Sequence, residues 1–276
     1  MKLKYYGTAA AEGVPALYCS CDVCKYSKKN GKNNIRTRSQ ALIDGKLLID
    51  MPPDTLYHFQ HLGLPLNDIE HVLITHKHPD HLHPPTLNVR AKGFVMHDIP
   101  PINIYGSMPT IDLIFDEIRK SGVQKRGVWN LYEIAPFEKK AICEYKVVPY
   151  KANHAYETYP YIYEISDGDK RMLYGHDTGI FLDETWNYIE KEKPFFNLVS
   201  LDCTMGVADS SGHHHMNVDN CCETKKRLIE VGCADNSTIF ILNHFSHNGH
   251  ISYDELLPLA NERGFIVSYD GMEIEF

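Results

Sequence analysis

Thr75-His76-Lys77-His78-Pro79-Asp80-His81 places four metal-binding side chains within six residues. The apolar run Val72-Leu73-Ile74 leads directly into them and reads as the end of a buried strand. Side chains alternate along an extended chain, so His76 and His78 can point the same way. Asp80 and His81 follow where the chain turns, so they can face a second metal position. A solvated, His-rich loop would also fit these residues one at a time. The spacing HxHxDH after a short apolar strand is far more specific than any lone histidine.

Three later residues stand in matching contexts. His154, Asp177 and His244 each come just past a strand-like run. Alone, His154 and His244 would read as ordinary loop residues. As a set of seven N and O donors they suit two divalent cations. One would take His76, His78 and His154, and the other Asp80, His81 and His244. The Asp177 carboxylate could bridge them. No thiolate is in the set, so Zn, Mn or Fe are all acceptable. Two ions sharing a hydroxide form a hydrolytic arrangement, with Asp80 counted both as ligand and as catalytic carboxylate. His176 adjoins Asp177 but should point the other way. Asp50 reads equally as a strand-end turn residue or as a partner for a ligating histidine.

A second cluster comes earlier. Cys19-Ser20-Cys21-Asp22-Val23-Cys24 gives C-x-C-x2-C, whose three thiolates can converge on one tetrahedral ion. A fourth ligand must come from elsewhere. Three exposed thiols this close would otherwise be a liability.

Composition narrows the classes of function. The chain has 276 residues, 43% of them hydrophobic, which supports an ample core. Net charge is -8, so long nucleic acids are disfavoured as partners. No stretch approaches the roughly 20 apolar residues of a membrane span. The N-terminus reads at once as a strand, without the apolar core of a signal peptide, so a cytoplasmic setting is expected. Eight cysteines there point to metal ligands or buried thiols rather than disulfides.

In order, residues 2–7 read as a strand, and 25–34 as a polar surface loop. Ala41-Leu42-Ile43 and Leu47-Leu48-Ile49 form a hairpin across Asp44-Gly45. Residues 53–62 read as a helix, 70–75 as the strand bearing the histidines, and Pro85 to Lys92 as a helix. Strands follow at 102–106, 128–134 and 141–150, with a helix from Thr110 to Ser121 stopping at Gly122. A second hairpin, 159–165 with 171–174, ends at His176-Asp177. Strands at 197–203 and 238–243, helices at 218–231 and from Ser252 to Asn261, and strands at 265–268 and 272–276 complete the chain. Strands first and strand–helix alternation afterwards, in each half, argue for an αββα sandwich.

HxHxDH with His154, Asp177 and His244 in order resembles the metallo-β-lactamase superfamily. More narrowly, the loop Gly7 to Pro15 with Cys19, Cys21 and Cys24, the run Asn243-His244-Phe245-Ser246-His247, and the ending Asp270-Gly271-Met272-Glu273-Ile274 resemble the phosphodiesterase family encoded with bacterial carbon–phosphorus lyase. The likeness covers essentially the whole chain. It implies one α+β domain over residues 1–276, with an N-terminal zinc-binding loop at about 8–34. It implies a structural zinc held by Cys19, Cys21, Cys24 and His247. It also implies a general-acid histidine before the helix after the last active-site ligands, which His215 matches best within His213-His214-His215.

The expected activity is dinuclear hydrolysis of a small, cyclic phosphodiester, by a protein that forms a homodimer. Transfer-RNA 3′-processing nucleases share the metal motif but carry an extra RNA-gripping arm, which is not found here. Relatives in pyrroloquinoline quinone formation share the C-x-C-x2-C loop and stand for an oxidative alternative. The loops around 83–100 and 205–217 are where the substrate pocket is expected to be shaped.

Overall fold

The computed structural model describes residues 1–91, 93–121 and 128–276. Two seven-stranded sheets pack face to face. The first runs β14(Glu273–Glu275)-β1(Lys2–Gly7)-β2(Gln40–Ile43)-β3(Leu47–Ile49)-β4(His71–Leu73)-β5(Ile102–Gly106)-β6(Trp129–Glu133). The second runs β13(Ile266–Val267)-β12(Ile239–Asn243)-β11(Leu198–Asp202)-β10(Arg171–Gly175)-β9(Tyr161–Ser166)-β8(Tyr145–Lys151)-β7(Lys140–Ile142). Seven α-helices among the described residues complete the elements: α1(Asp22–Asn30), α2(Thr55–His61), α3(Pro85–Asn88), α4(Met108–Lys120), α5(Asp183–Glu192), α6(Val218–Glu230) and α7(Tyr253–Glu262).

Most central strands are apolar on both faces, because each sheet is covered on both sides. Leu47, Ile49 and Leu73 join Tyr163, Tyr174, Leu198 and Ile241 between the sheets. The alternating neighbours Leu48 and Val72 turn outward to Ile114 of α4. On the other side, Val199 and Leu242 meet Trp186, Leu228 and Leu256 of α5, α6 and α7. This is the αββα sandwich expected from the sequence.

The first hairpin turns on Asp44 (φ 48°) and Gly45 (φ 74°), two left-handed residues in succession. That backbone reverses the chain tightly, and the Lys46 amide returns to the Ile43 carbonyl at 2.8 Å. β3, β4, β5 and β6 are parallel, as are β10, β11, β12 and β13. Parallel neighbours end at the same edge, so the loops after β10, β11 and β12 emerge together. The Tyr161 amide donates to the Thr75 carbonyl at 2.9 Å, which brings the loop after β4 to the same edge.

Four elements depart from the sequence reading. Residues 22–30 form α1, where a loop was expected; the segment is polar because most of the helix faces solvent. The single strand expected at 141–150 is a hairpin, β7 and β8, reversed at Cys143 with φ 44°. The helix after the histidine motif is only four residues, Pro85–Asn88, and its expected end at Lys92 lies outside the described residues. α5 had no counterpart in the sequence reading. Gly122, expected to stop α4, also lies outside the described residues. No helix among them is long and apolar enough to cross a membrane.

Gly7 carries the chain out of β1 through a register shift against β2. A Cβ there would sit 1.9 Å from the Arg38 carbonyl oxygen. Because the obstacle is backbone, Gly7→Ala is expected to cost about 2–4 kcal/mol, read as a lowered urea midpoint.

Candidate metal centre

The strand ends deliver side chains from both sheets to one point. His76, His78, Asp80 and His81 come from the loop after β4, and His154 from the loop after β8. Asp177 follows β10 and His244 follows β12. Ligand atoms of His76, His78, His154 and Asp177 all lie within 4.8 Å of one another, as do those of Asp80, His81, Asp177 and His244. Asp177 belongs to both groups.

The hydrogen bonds fix which nitrogens face inward. His81 Nδ1 meets Asp50 Oδ2 at 2.7 Å, and His154 Nδ1 meets the His214 carbonyl at 3.3 Å. His244 Nδ1 meets Thr204 Oγ1 at 2.8 Å, and His76 Nδ1 meets Thr75 Oγ1 at 3.1 Å. With Nδ1 turned outward to these partners, each of the four rings presents its Nε2 inward. There the nitrogens face one another: His81 Nε2 and His244 Nε2 at 3.2 Å, His76 Nε2 and His78 Nδ1 at 2.9 Å, His154 Nε2 and His78 Nδ1 at 3.2 Å. The Oδ1 of Asp177 is buried without a hydrogen-bond partner. Converging ring nitrogens and a buried carboxylate oxygen without a hydrogen bond fit divalent cations.

Burial pushes His76 down to about 3, and the neighbouring His81 adds to that. Burial opposes charge on Asp80 too, yet His81 holds its carboxyl below the usual range. His81 itself is buried but raised well above the ordinary imidazole value by Asp50 and Asp80. Three residues of the centre hold left-handed backbone: Asp50 (φ 65°), Asp177 (φ 54°) and His244 (φ 62°). Such strain in non-glycine residues persists only where surrounding contacts impose it.

Of the three consecutive histidines, His215 reaches the centre. Its Nδ1 lies 3.2 Å from Asp202 Oδ2 and 3.4 Å from Asp177 Oδ1. Burial works against its charge, but Asp202 raises it to about 9. His213 and His214 are exposed. His215 and Asp202 also form a third group with Asp177 and His244.

Asp202 was missed by sequence reasoning. It contacts His215 and His244 at 3.2 Å each and accepts from the amides of Asp177, Thr204 and Met216. A lone Asp at a strand end gives no spacing signal; its place beside Asp177 and Asn243 across the parallel strands could have. Asp50, left open between two readings, is the partner of His81. His176 turns away to Ser200 and Asn243, as expected.

The second cluster also assembles. Ligand atoms of Cys19, Cys21, Cys24 and His247 lie within 4.8 Å of one another. The His247 Nδ1 stands 3.6 Å from Cys19 Sγ and 3.5 Å from Cys21 Sγ. Its Nε2 faces Glu12 at 3.4 Å. The Cys21 amide lowers the Cys19 thiol, while burial pushes Cys24 up to about 12.

Comparison with known proteins agrees with this architecture. Residues 46–245 match the family described as the beta-lactamase superfamily domain. An octanoyltransferase of Porphyromonas gingivalis (strain ATCC BAA-308 / W83) is 34% identical over 286 residues, covering 99% of this chain and 51% of that protein. The chain thus spans about half the length of this curated relative. Among solved structures, a diphosphatase from the PhnP family superposes with a TM-score of 0.73 at 20% identity, covering 100% of this chain and 97% of that one. Zn(2+)-bound PqqB from Methylobacterium extorquens gives 0.69 at 16% identity, with 100% of both chains covered. The short form of human tRNase Z gives 0.67 at 16%, covering 100% of this chain and 99% of that one. Likeness at these identities speaks for the fold.

Asp202→Asn in metal-free protein is expected to return His215 to the ordinary imidazole range or below, read by NMR titration of the ring protons. An unmoved titration would show that Asp202 does not set the charge of His215. From its matched family, the chain belongs to the beta-lactamase superfamily.

Proposed function

We propose that the protein is a dinuclear phosphodiesterase acting on small, including cyclic, phosphodiesters. The observation that carries this reading is His215, held by Asp202 at the rim of the two donor groups. Phosphodiester cleavage expels an alkoxide, a poor leaving group that needs a proton. Asp202 engages Nδ1 of His215, which leaves Nε2 as the atom that can hand a proton to the departing oxygen. Two divalent cations, Zn, Mn or Fe, would be held by His76, His78 and His154 and by Asp80, His81 and His244, with Asp177 between them; when bound they supply a water nucleophile and neutralise phosphoryl oxygens. Asp50, Thr75 and Thr204 keep the imidazoles aimed. Cys19, Cys21, Cys24 and His247 would hold one structural zinc, closed to substrate.

A second reading is hydrolysis of an acyl ester or thioester, favoured by the relative that carries the octanoyltransferase name. A thiolate leaves without help, so the thioester chemistry would not need His215. We further expect a cytoplasmic homodimer, to which the eight free cysteines and the net charge of -8 lend support on the side of a reducing setting and a small substrate.

His81→Ala and Asp177→Ala are each expected to abolish turnover of bis-p-nitrophenyl phosphate with far-ultraviolet circular dichroism intact. Unchanged turnover in either would sink the dinuclear mechanism. His215→Ala is expected to cost about 10²–10⁴-fold on a diester with a poor leaving group and much less on a p-nitrophenyl ester. Equal losses on both would count against proton delivery by His215. Cys21→Ser is expected to remove about one zinc per chain and lower the melting temperature. Full zinc and full stability with lost activity would overturn the structural assignment.

A further inference from the structure

A cavity of about 960 Å³ lies where α4, the end of β6 and the loop between β8 and β9 meet. That is the size of a site for a small organic group. Two of its walls belong to segments that carry candidate ligands. Lys77 stands between His76 and His78, and Tyr156 and Tyr159 follow His154 on the same loop. Met108 and Leu113 give it an apolar side, and the Tyr156 and Tyr159 rings are largely exposed.

The charge of the lining is one-sided. Five carboxylates border the cavity against Lys77 and Lys151. Arg119 pairs with Asp116 at 3.0 Å, and Lys151 pairs with Glu184 at 2.7 Å. Among the described residues, no ion pair holds Asp112, Glu133 or Glu157. A substituent bearing a second phosphate would meet unpaired carboxylates and be repelled. A substituent bearing an ammonium group would be drawn to them, and exposed tyrosine faces add cation–π attraction.

We propose that this cavity is the subsite for the non-reacting part of the substrate, and that this part is an amino alcohol with a cationic ammonium. The proposal rests on the phosphodiesterase reading and narrows it to phosphodiesters of such alcohols. The reaction is ordinary hydrolysis: one P–O ester bond breaks, the water oxygen joins phosphorus, and a proton goes to the departing oxygen. The cavity contributes binding and orientation of the cationic substituent, from walls on the segments that carry His76, His78 and His154.

The test compares p-nitrophenyl phosphorylcholine with p-nitrophenyl phenyl phosphate at low ionic strength, using the metal-loaded full chain. The choline ester is expected to have at least about tenfold higher kcat/KM, from attraction to the unpaired carboxylates. Asp112, Glu133 and Glu157 are exposed, so the triple variant Asp112→Asn/Glu133→Gln/Glu157→Gln should fold. It is expected to lose the preference, read as the ratio of the two kcat/KM values falling to about one. Equal rates on the two esters, or a preference that survives the triple variant, would overturn the subsite. If neither ester is turned over, the phosphodiesterase reading fails, and the subsite is judged by binding alone. Saturation-transfer NMR with tetramethylammonium should then show contact in the parent and none in the triple variant; equal signals in both would overturn it.

Discussion

One carboxylate oxygen, Asp177 Oδ2, lies within 3.4 Å of ring nitrogens of His76, His81 and His154. Each of those imidazoles already gives its outward proton to Thr75, Asp50 or the His214 carbonyl. Their inward lone pairs must be satisfied by positive charge. A proton serves poorly at His76, where burial drives the imidazole down to about 3, while Asp50 and Asp80 raise His81 well above the ordinary value. Divalent cations satisfy all of the donors together. The left-handed backbone of Asp177 and His244 follows from the same demand: both chains must turn sharply at a strand end to aim inward.

Because the donors come from both sheets, the centre depends on how the sheets are clamped. The cysteine cluster contributes here. His244 and His247 are three residues apart, so the loop that aims one also holds the other. The Phe245 amide donates to Thr8 and the Ala10 amide donates to Phe245, each at 2.8 Å. Buried Arg36 adds a bond to Thr8 Oγ1 at 2.8 Å and stacks on the Phe245 ring at 4.0 Å. The N-terminal loop, the β12 loop and the cysteine cluster are thus one unit. A cation among the cysteines would rigidify the catalytic side without touching substrate.

What was legible in the sequence is what chain-local spacing encodes. HxHxDH, C-x-C-x2-C and the Asp-Gly hairpin each confine their signal to a few residues. His154, Asp177 and His244 were legible because each follows an apolar run that could only be a strand. Asp202 follows such a run too, but its role comes from standing next to Asp177 and His244 across parallel strands. That adjacency is a property of strand order, which periodicity does not carry. The break at Cys143 was hidden because residues on either side are all compatible with a strand. α1 was hidden because a short polar helix offers little apolar stripe to read.

The choice among His213, His214 and His215 also rests on non-local packing. Gly179 lies so close to Gly212 that a Cβ on Gly179 would sit 1.9 Å from the Gly212 carbonyl oxygen, and the Ile180 amide donates to that oxygen at 2.8 Å. This contact pins the start of the histidine run against the chain just past Asp177. His214 then takes a left-handed backbone, φ 64°, and spends its carbonyl on His154 Nδ1. The Met216 amide is tied to Asp202 Oδ1 at 3.0 Å. With the chain fixed on both sides, His215 is the ring directed at Asp202 and Asp177. His214 serves through its backbone, and its side chain stays exposed. The register of the run is therefore set by Gly179, far upstream, and no local feature of three identical residues could have revealed it.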